Sequence, residues 1–238
     1  MQKNFFGKFI GCLTLLFFLL SFKISIGQTE VIGIDILLNP DQTMLDSAKA
    51  YNDMMRQNYS GPGSFSLDAT HTPHITVLQC FIEKANLDKV IAAVDKVVRT
   101  VQPTKEKLTS KGFYYIPDKT QGLAGITINT TPQLLNFQAR IIEAVKPFIV
   151  KGTDAAFVQN TDGKPIVKGL TEYVNDFIPG HSGPKFLPHV TIGLAQQTFL
   201  KELNARPYHK FTFGIASASI YHLGDYGTAQ VRLWSSAK

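Results

Sequence analysis

Apolar positions along this chain fall into two rhythms, short β-branched runs and longer stretches of helical spacing. "VIGIDILL" (Val31 to Leu38) is a β-branched run that stops at Asn39-Pro40, which predicts a strand. Asp41 then caps a helix over "QTMLDSAKAYNDMMRQ", where Met44, Leu45, Ala48, Tyr51 and Met55 recur at helical intervals. Gly61-Pro62-Gly63 breaks the chain before a strand over "HITVLQCF". From Asn86 to Val101, residues Leu87, Val90, Ile91, Val94, Val97 and Val98 share one helical face. "KGFYYIP" and "LAGITINT" predict two strands joined by the polar turn "DKTQG", and a third helix is expected over Thr131 to Val150.

The order then repeats. "PHVTIGLA" predicts a strand and "QQTFLKELNA" a helix. "KFTFGIASASIYHLG" and "TAQVRLWSS" predict two strands closed by Asp225-Tyr226-Gly227. A unit of strand, helix, strand, strand occurs twice, a duplication of architecture and not a short-period solenoid. Between the halves lies an insert, Lys151 to Phe186, punctuated by "NTDGKP" and "PGHSGPK", with "LTEYVNDF" as a short element inside it. A segment of that length serves as a lid, a binding loop or decoration.

The start of the chain stands apart. Lys3 and Lys8, the apolar run Phe9 to Phe22, and small residues at Ser25 and Gly27 form the pattern of a secretory signal peptide over residues 1–27. The apolar run is shorter than the roughly 20 residues of a membrane span. An exported chain beginning near Gln28, periplasmic or extracellular and without a stable membrane span after processing, is therefore expected. The formal charge of +6 includes Lys3, Lys8 and Lys23, so the processed chain is only mildly basic, which is compatible with an anionic substrate but does not demand one. Of Cys12 and Cys80 only the latter survives processing, which excludes an internal disulfide. The fold must rest on its apolar core. Residues 28–238 are long enough for one domain of two lobes sharing that core.

The repeated units carry a repeated string. Pro73-His74-Ile75-Thr76-Val77 and Pro188-His189-Val190-Thr191-Ile192 share proline, histidine, threonine and both β-branched neighbours. Side chains alternate along a strand, so His74 shares a face with Thr76, and His189 with Thr191. Each strand thus offers an apolar face for packing and a polar face with one imidazole and one hydroxyl. Across a cleft, two imidazoles suit a phosphodiester: one takes a proton from the nucleophile and the other protonates the leaving oxygen. The threonine hydroxyls would donate hydrogen bonds to non-bridging oxygens as charge builds. Which histidine is acid and which is base is open, because substrate orientation decides it.

Two His-x-Thr strings, one in each half of a duplicated chain, resemble the two-histidine (2H) phosphoesterases, which include 2′-5′ RNA ligase-like proteins and cyclic nucleotide phosphodiesterases. The resemblance implies an α+β fold of two pseudo-symmetric lobes, with two antiparallel sheets flanking a central groove and helices outside. It further implies hydrolysis of 2′,3′-cyclic phosphates or 2′-5′ phosphodiesters, with His74 and His189 catalytic and Thr76 and Thr191 binding the phosphate. No metal and no cofactor are implied. The expected partner is a small nucleotide or RNA-end phosphodiester, and the chain is read as a monomer. Two features depart from the usual pattern: the insert widens the motif spacing, and the leader exports a member of a family of intracellular appearance.

Other readings stay on the table. The same groove would serve a protein that binds a nucleotide or phosphorylated ligand without turnover, and RNA joining is the reverse of 2′-5′ cleavage. His71 and His74 with His181 or His189 could be read as metal ligands, but neither string follows a zinc spacing. His71 and His181 read as loop residues, and His209 and His222 as surface ones. Phe113, Tyr114, Tyr173, Tyr221, Tyr226 and Trp234 are candidates for stacking a base, and Lys185 for approaching a phosphate. "GPGSFS" lacks the spacing and lysine of a P-loop, and no nucleophile elbow is present.

Overall fold

The computed structural model describes residues 29–68 and 71–237. The expected signal peptide lies outside the described residues. β1 (Val31–Pro40) is buried along almost its whole length, as its apolar run requires. α1 (Gln42–Asn58) starts where Asp41 accepts a hydrogen bond from the Thr43 amide at 3.1 Å. β2 (Ile75–Glu83) and α2 (Leu87–Val101) follow, then β3 (Lys107–Asp118) and β4 (Gln121–Ile128), joined by a tight turn in which Lys119 has φ 50°. α3 (Pro132–Val145) is capped by the Thr131 hydroxyl.

α3 ends five residues before the expected Val150. Pro147 has no N–H for the helical ladder, so the chain tightens through one turn and leaves as β5 (Ile149–Val150), paired with β2. The insert contains α4 (Leu170–Asn175) and α5 (Phe177–His181). β6 (His189–Gln196), α6 (Gln197–Ala205), β7 (Thr212–Leu223) and β8 (Ala229–Ser235) complete the chain.

Every ladder is antiparallel. The strand order is β5-β2-β1-β7-β3-β4-β6, with β8 on β7. β3 meets β7 only through Lys107, Leu108 and Thr109, so the array divides into two antiparallel sheets, β5-β2-β1-β7-β8 and β3-β4-β6, hinged at that short ladder. α3 packs against β2 and α2, while α1 lies on β6 and α6 on the second sheet. Ile34, Ile36, Leu38, Ile75, Val77, Ile126, Val190 and Ile192 fill one continuous core between helices and sheets. Removing such surface from water, at roughly 25 cal/mol per Å², is what holds a fold without disulfides.

The frame of the repeat differs from the one its element order indicates. β4 pairs with motif strand β6, and β1 pairs with motif strand β2, so β1 is the counterpart of β4. The true unit is β1-α1-β2-α2-β3 matched to β4-α3-β6-α6-β7, with β8 outside the repeat. Each unit gives its last strand to the other sheet: β3 pairs with β4, and β7 with β1. Neither half therefore completes its sheet alone.

The insert is a packed element, not a loose lid. Phe157, Ile166, Leu170 and Val174 bury themselves on Phe81 of β2 and Leu223 of β7. Gly152 lies directly on the Phe81 ring, where a Cβ would come within 2.2 Å of it.

Candidate active site

The proline and the histidine of each string work together. In both, the ring nitrogen Nδ1 lies against the carbonyl two residues back: Thr72 O at 2.7 Å for His74, and Leu187 O at 2.8 Å for His189. The intervening Pro73 or Pro188 has a fixed φ and restricts the residue before it, which aims that carbonyl. A carbonyl only accepts, so Nδ1 carries the hydrogen and donates it. The lone pair of the neutral ring is then on Nε2 in both histidines. Both rings are half-buried at the heads of their strands.

Just past each threonine the ladder slips at the same offset. Leu37 pairs with Thr76 but Ile36 with Leu78, leaving Val77 bulged; Gly125 pairs with Thr191 but Ala124 with Gly193, leaving Ile192 bulged. The simple alternation read from the sequence holds up to the threonines and fails beyond them, because a bulge shifts later side chains by one position. In β2 it turns Gln79, three residues on, to the same face as Thr76.

Two buried amides secure these bulges. Gln138 of α3 donates to Val77 O at 3.1 Å and to His181 O at 3.3 Å, and accepts from the Gly183 amide at 3.0 Å. Asn52 of α1 donates to Ile192 O at 2.9 Å and Phe65 O at 3.0 Å, and accepts from the Leu67 amide at 3.1 Å. Each amide thus holds the bulge of one motif strand and the loop that leads into the other motif.

Below this shared plan the halves differ. Beneath His74 lies Asp35 of β1, with no solvent exposure. Its Oδ2 accepts from the Thr76 hydroxyl and from Gln79 Nε2, both at 3.0 Å, and stands 3.6 Å from His74 Nε2. Among the described residues its Oδ1 has no hydrogen-bond partner. Burial pushes the Asp35 carboxyl above its ordinary range, while the His74 charge and the Gln79 and Thr76 hydrogen bonds pull it back down. In the second half the positions matched to Asp35 and Gln79 are Leu123 and Leu194. There the polar support comes from Tyr114 of β3, whose ring crosses Gly125 to hydrogen-bond Thr191 and meets the His189 ring edge-on, with centroids 4.8 Å apart. A Cβ on Gly125 would come within 2.4 Å of that ring. Burial holds His189 below the ordinary histidine range; the Leu187 carbonyl opposes this, and the charges of His74 and His181 add to it.

His181, read from the sequence as a loop residue, is the last residue of α5 in the insert. It packs on Tyr173 (centroids 4.5 Å apart) and Phe177, and its charge acts on His189. Tyr173, a stacking candidate, is 41% exposed, and burial with the charge of Asp35 pushes its hydroxyl up to about 12. The remaining candidates are drawn elsewhere. Phe113 packs between Tyr51 and Tyr208, Tyr226 points outward, and Trp234 lies on the main core. Lys185 donates to Pro179 O, and His71 stacks on Phe65. His222, read as a surface residue, is half-buried with Nε2 2.9 Å from Ala156 O, fastening the insert to β7. Among the described residues, no three His, Cys, Asp or Glu side chains stand close enough together to hold a metal ion.

A two-lobed α+β fold with a His-x-Thr strand in each half defines a two-histidine type of protein. The chain matches the family model of the 2′-5′ RNA ligase superfamily over residues 45–213, and it belongs to that family. Among solved structures it is similar to TT0787 of Thermus thermophilus, at 12% identity and a TM-score of 0.45 over 86% of this chain and 96% of that one. It is also similar to Usb1 of Kluyveromyces marxianus, at 10% identity over 86% and 98% of the two chains; the TM-score is 0.37, or 0.40 for the structure with uridine monophosphate. No curated protein matches the chain. No helix among the described residues is long and apolar enough to cross a membrane.

Proposed function

We propose that this chain is an exported phosphodiesterase that hydrolyses a 2′,3′-cyclic phosphate or a 2′-5′ phosphodiester by two-histidine acid–base catalysis, without a metal. Membership of the 2′-5′ RNA ligase superfamily supports a phosphodiesterase-type activity. The observation that carries the finer reading is the matched setting of the two Nδ1 atoms, each committed to a backbone carbonyl, so that Nε2 is the nitrogen available for chemistry in both rings. One Nε2 takes a proton from water as its oxygen bonds to phosphorus. The other gives a proton to the ribose oxygen as the P–O bond breaks. Thr76 and Thr191 hold the non-bridging oxygens, Thr76 by turning onto the phosphate the hydroxyl hydrogen that it gives to Asp35 when no substrate is bound. Each imidazole is asked for a factor of about 10²–10⁴.

The test is incubation of the chain lacking residues 1–27, in EDTA, with 2′,3′-cyclic nucleotides and a 2′-5′-linked dinucleotide, followed by chromatography. Nucleoside monophosphate released from either substrate supports the proposal. Turnover that requires added zinc contradicts the mechanism, and no turnover on any of them contradicts the substrate class.

A further inference from the structure

The two halves share their bulges, their threonines and the carbonyls that orient the histidines, yet only one has a buried acid. The difference sits at matched positions, Asp35 and Gln79 against Leu123 and Leu194, so it is a chemical asymmetry on a symmetric frame. We propose that Asp35 is a positioning residue that commits His74 to donating the proton to the leaving oxygen and leaves His189 to take the proton from water. This rests on the phosphodiesterase reading above and deepens it by assigning the two roles.

Geometry carries the assignment. His74 Nδ1 already donates to Thr72 O, so a neutral ring turns the lone pair of Nε2 toward a carboxylate oxygen 3.6 Å away. A proton on Nε2 converts that repulsion into attraction. Asp35 needs such a partner: it is fully buried, and among the described residues its Oδ1 is unpaired and its Oδ2 has two neutral donors. An uncompensated buried carboxylate is costly, and an adjacent imidazolium offsets that cost. His189 has no acid at the matched place, and burial favours its neutral form, the form a base requires.

The surrounding ionisable groups do not blur the contrast. Burial pushes the Cys80 thiol and the Tyr114 and Tyr173 hydroxyls up and His181 down, so each of these is held toward its uncharged form. Burial acts on Asp35 in the same sense, and there a charge on His74 and the Gln79 and Thr76 hydrogen bonds oppose it in favour of the carboxylate. The step then balances. Water's oxygen bonds to phosphorus, its proton passes to His189 Nε2, the P–O bond to the ribose breaks, and that oxygen takes the proton from His74 Nε2. Exchange with solvent resets both rings. Asp35 also accepts a hydrogen bond from the Thr76 hydroxyl, which fixes that side chain beside His74.

Leaving-group dependence tests the assignment. An acid is dispensable when the leaving group needs no proton, whereas a base is not. His74→Ala, His189→Ala and Asp35→Asn are compared on a 2′-5′ dinucleotide and on bis(p-nitrophenyl) phosphate, which expels p-nitrophenolate. On the dinucleotide both histidine variants should lose about 10²–10⁴-fold in turnover. On the nitrophenyl ester His74→Ala should stay within about tenfold of the unaltered chain, while His189→Ala keeps its full loss. Asp35→Asn should follow His74→Ala, with kcat falling on the dinucleotide, KM steady, and the nitrophenyl ester spared. A circular dichroism melt confirms that each variant is folded. Sparing by His189→Ala instead, or an equal loss on both esters for a folded Asp35→Asn, overturns the assignment alone. No turnover of the dinucleotide, the nitrophenyl ester or a 2′,3′-cyclic nucleotide by the unaltered chain removes the phosphodiesterase reading, and the assignment with it.

Discussion

Asn52 and Gln138 occupy matched places on α1 and α3, and each spans the two halves of the molecule. Asn52 holds the Ile192 bulge of the second motif strand and the loop into the first motif; Gln138 holds the Val77 bulge of the first and the loop into the second. Three backbone groups depend on each side chain. A leucine at either place fits the apolar stripe around it but leaves those groups buried and unpaired. Asn52→Leu and Gln138→Leu should each cost about 2–4 kcal/mol, since an unsatisfied buried polar group costs about 1–3 kcal/mol. Urea unfolding checks this: the midpoint should fall while the slope stays constant.

Gly125 is required by its neighbour and not by its backbone angles. Gly125→Ala places a methyl within 2.4 Å of Tyr114 Cε1 and 3.0 Å of Val190 O. Overpacking of this kind costs about 1–3 kcal/mol. Gly125→Ala should cost less in a Tyr114→Ala background than in the unaltered chain, compared by urea melts of the four proteins, because the ring is the nearer obstacle. An equal cost of Gly125→Ala in both backgrounds would place the strain in the backbone instead.

His189 is the group whose titration reports the candidate site. Its folded value lies below the ordinary ~6.5 of histidine, so the unfolded chain binds the proton first as pH falls. Its contribution to stability is complete above about 6.5 and is lost as pH drops from there toward the folded value. If it acts as the base, the acid limb of the rate profile lies below the ordinary histidine range as well. The ring Cε1–H resonance missing from His189→Ala identifies its titration by NMR; a midpoint above 6.5 would contradict the burial argument.

Much of the candidate site was legible because its residues sit in short strings. Pro-His-x-Thr occurs twice, and strand alternation alone put His74 beside Thr76 and His189 beside Thr191. The helices were legible from their stripes, and the α+β class from their order. What was hidden depends on contacts between segments far apart in sequence. Asp35 lies 41 residues from Thr76, and only the β1–β2 register brings them together. Tyr114 reaches Thr191 only because Gly125, on the strand between, has no side chain. A faint trace exists for both amides: Asn52 follows Ala48, and Gln138 follows Leu134, by one helical step inside an otherwise apolar stripe. Asp35 leaves a similar one, the lone acid in "VIGIDILL". The frame of the duplication was misleading because β1 and β4 pair alike but occupy different places in chain order.

Cys80 is buried and its thiol is pushed up by burial and by the charge of Asp35. In the chain lacking residues 1–27 it is the only thiol. A disulfide-exchange reagent should therefore modify the native protein far more slowly than the urea-unfolded protein. Equal rates would mean that β2 opens readily beneath the motif.

The most direct test of the two-histidine chemistry is turnover of a 2′,3′-cyclic nucleotide by the unaltered chain, His74→Ala and His189→Ala, measured in EDTA beside binding of the product monophosphate. Turnover by the unaltered chain that falls about 10²-fold or more in each variant, with monophosphate binding retained, is the expected result. Turnover that persists in both variants, or binding without turnover in all three proteins, would contradict it.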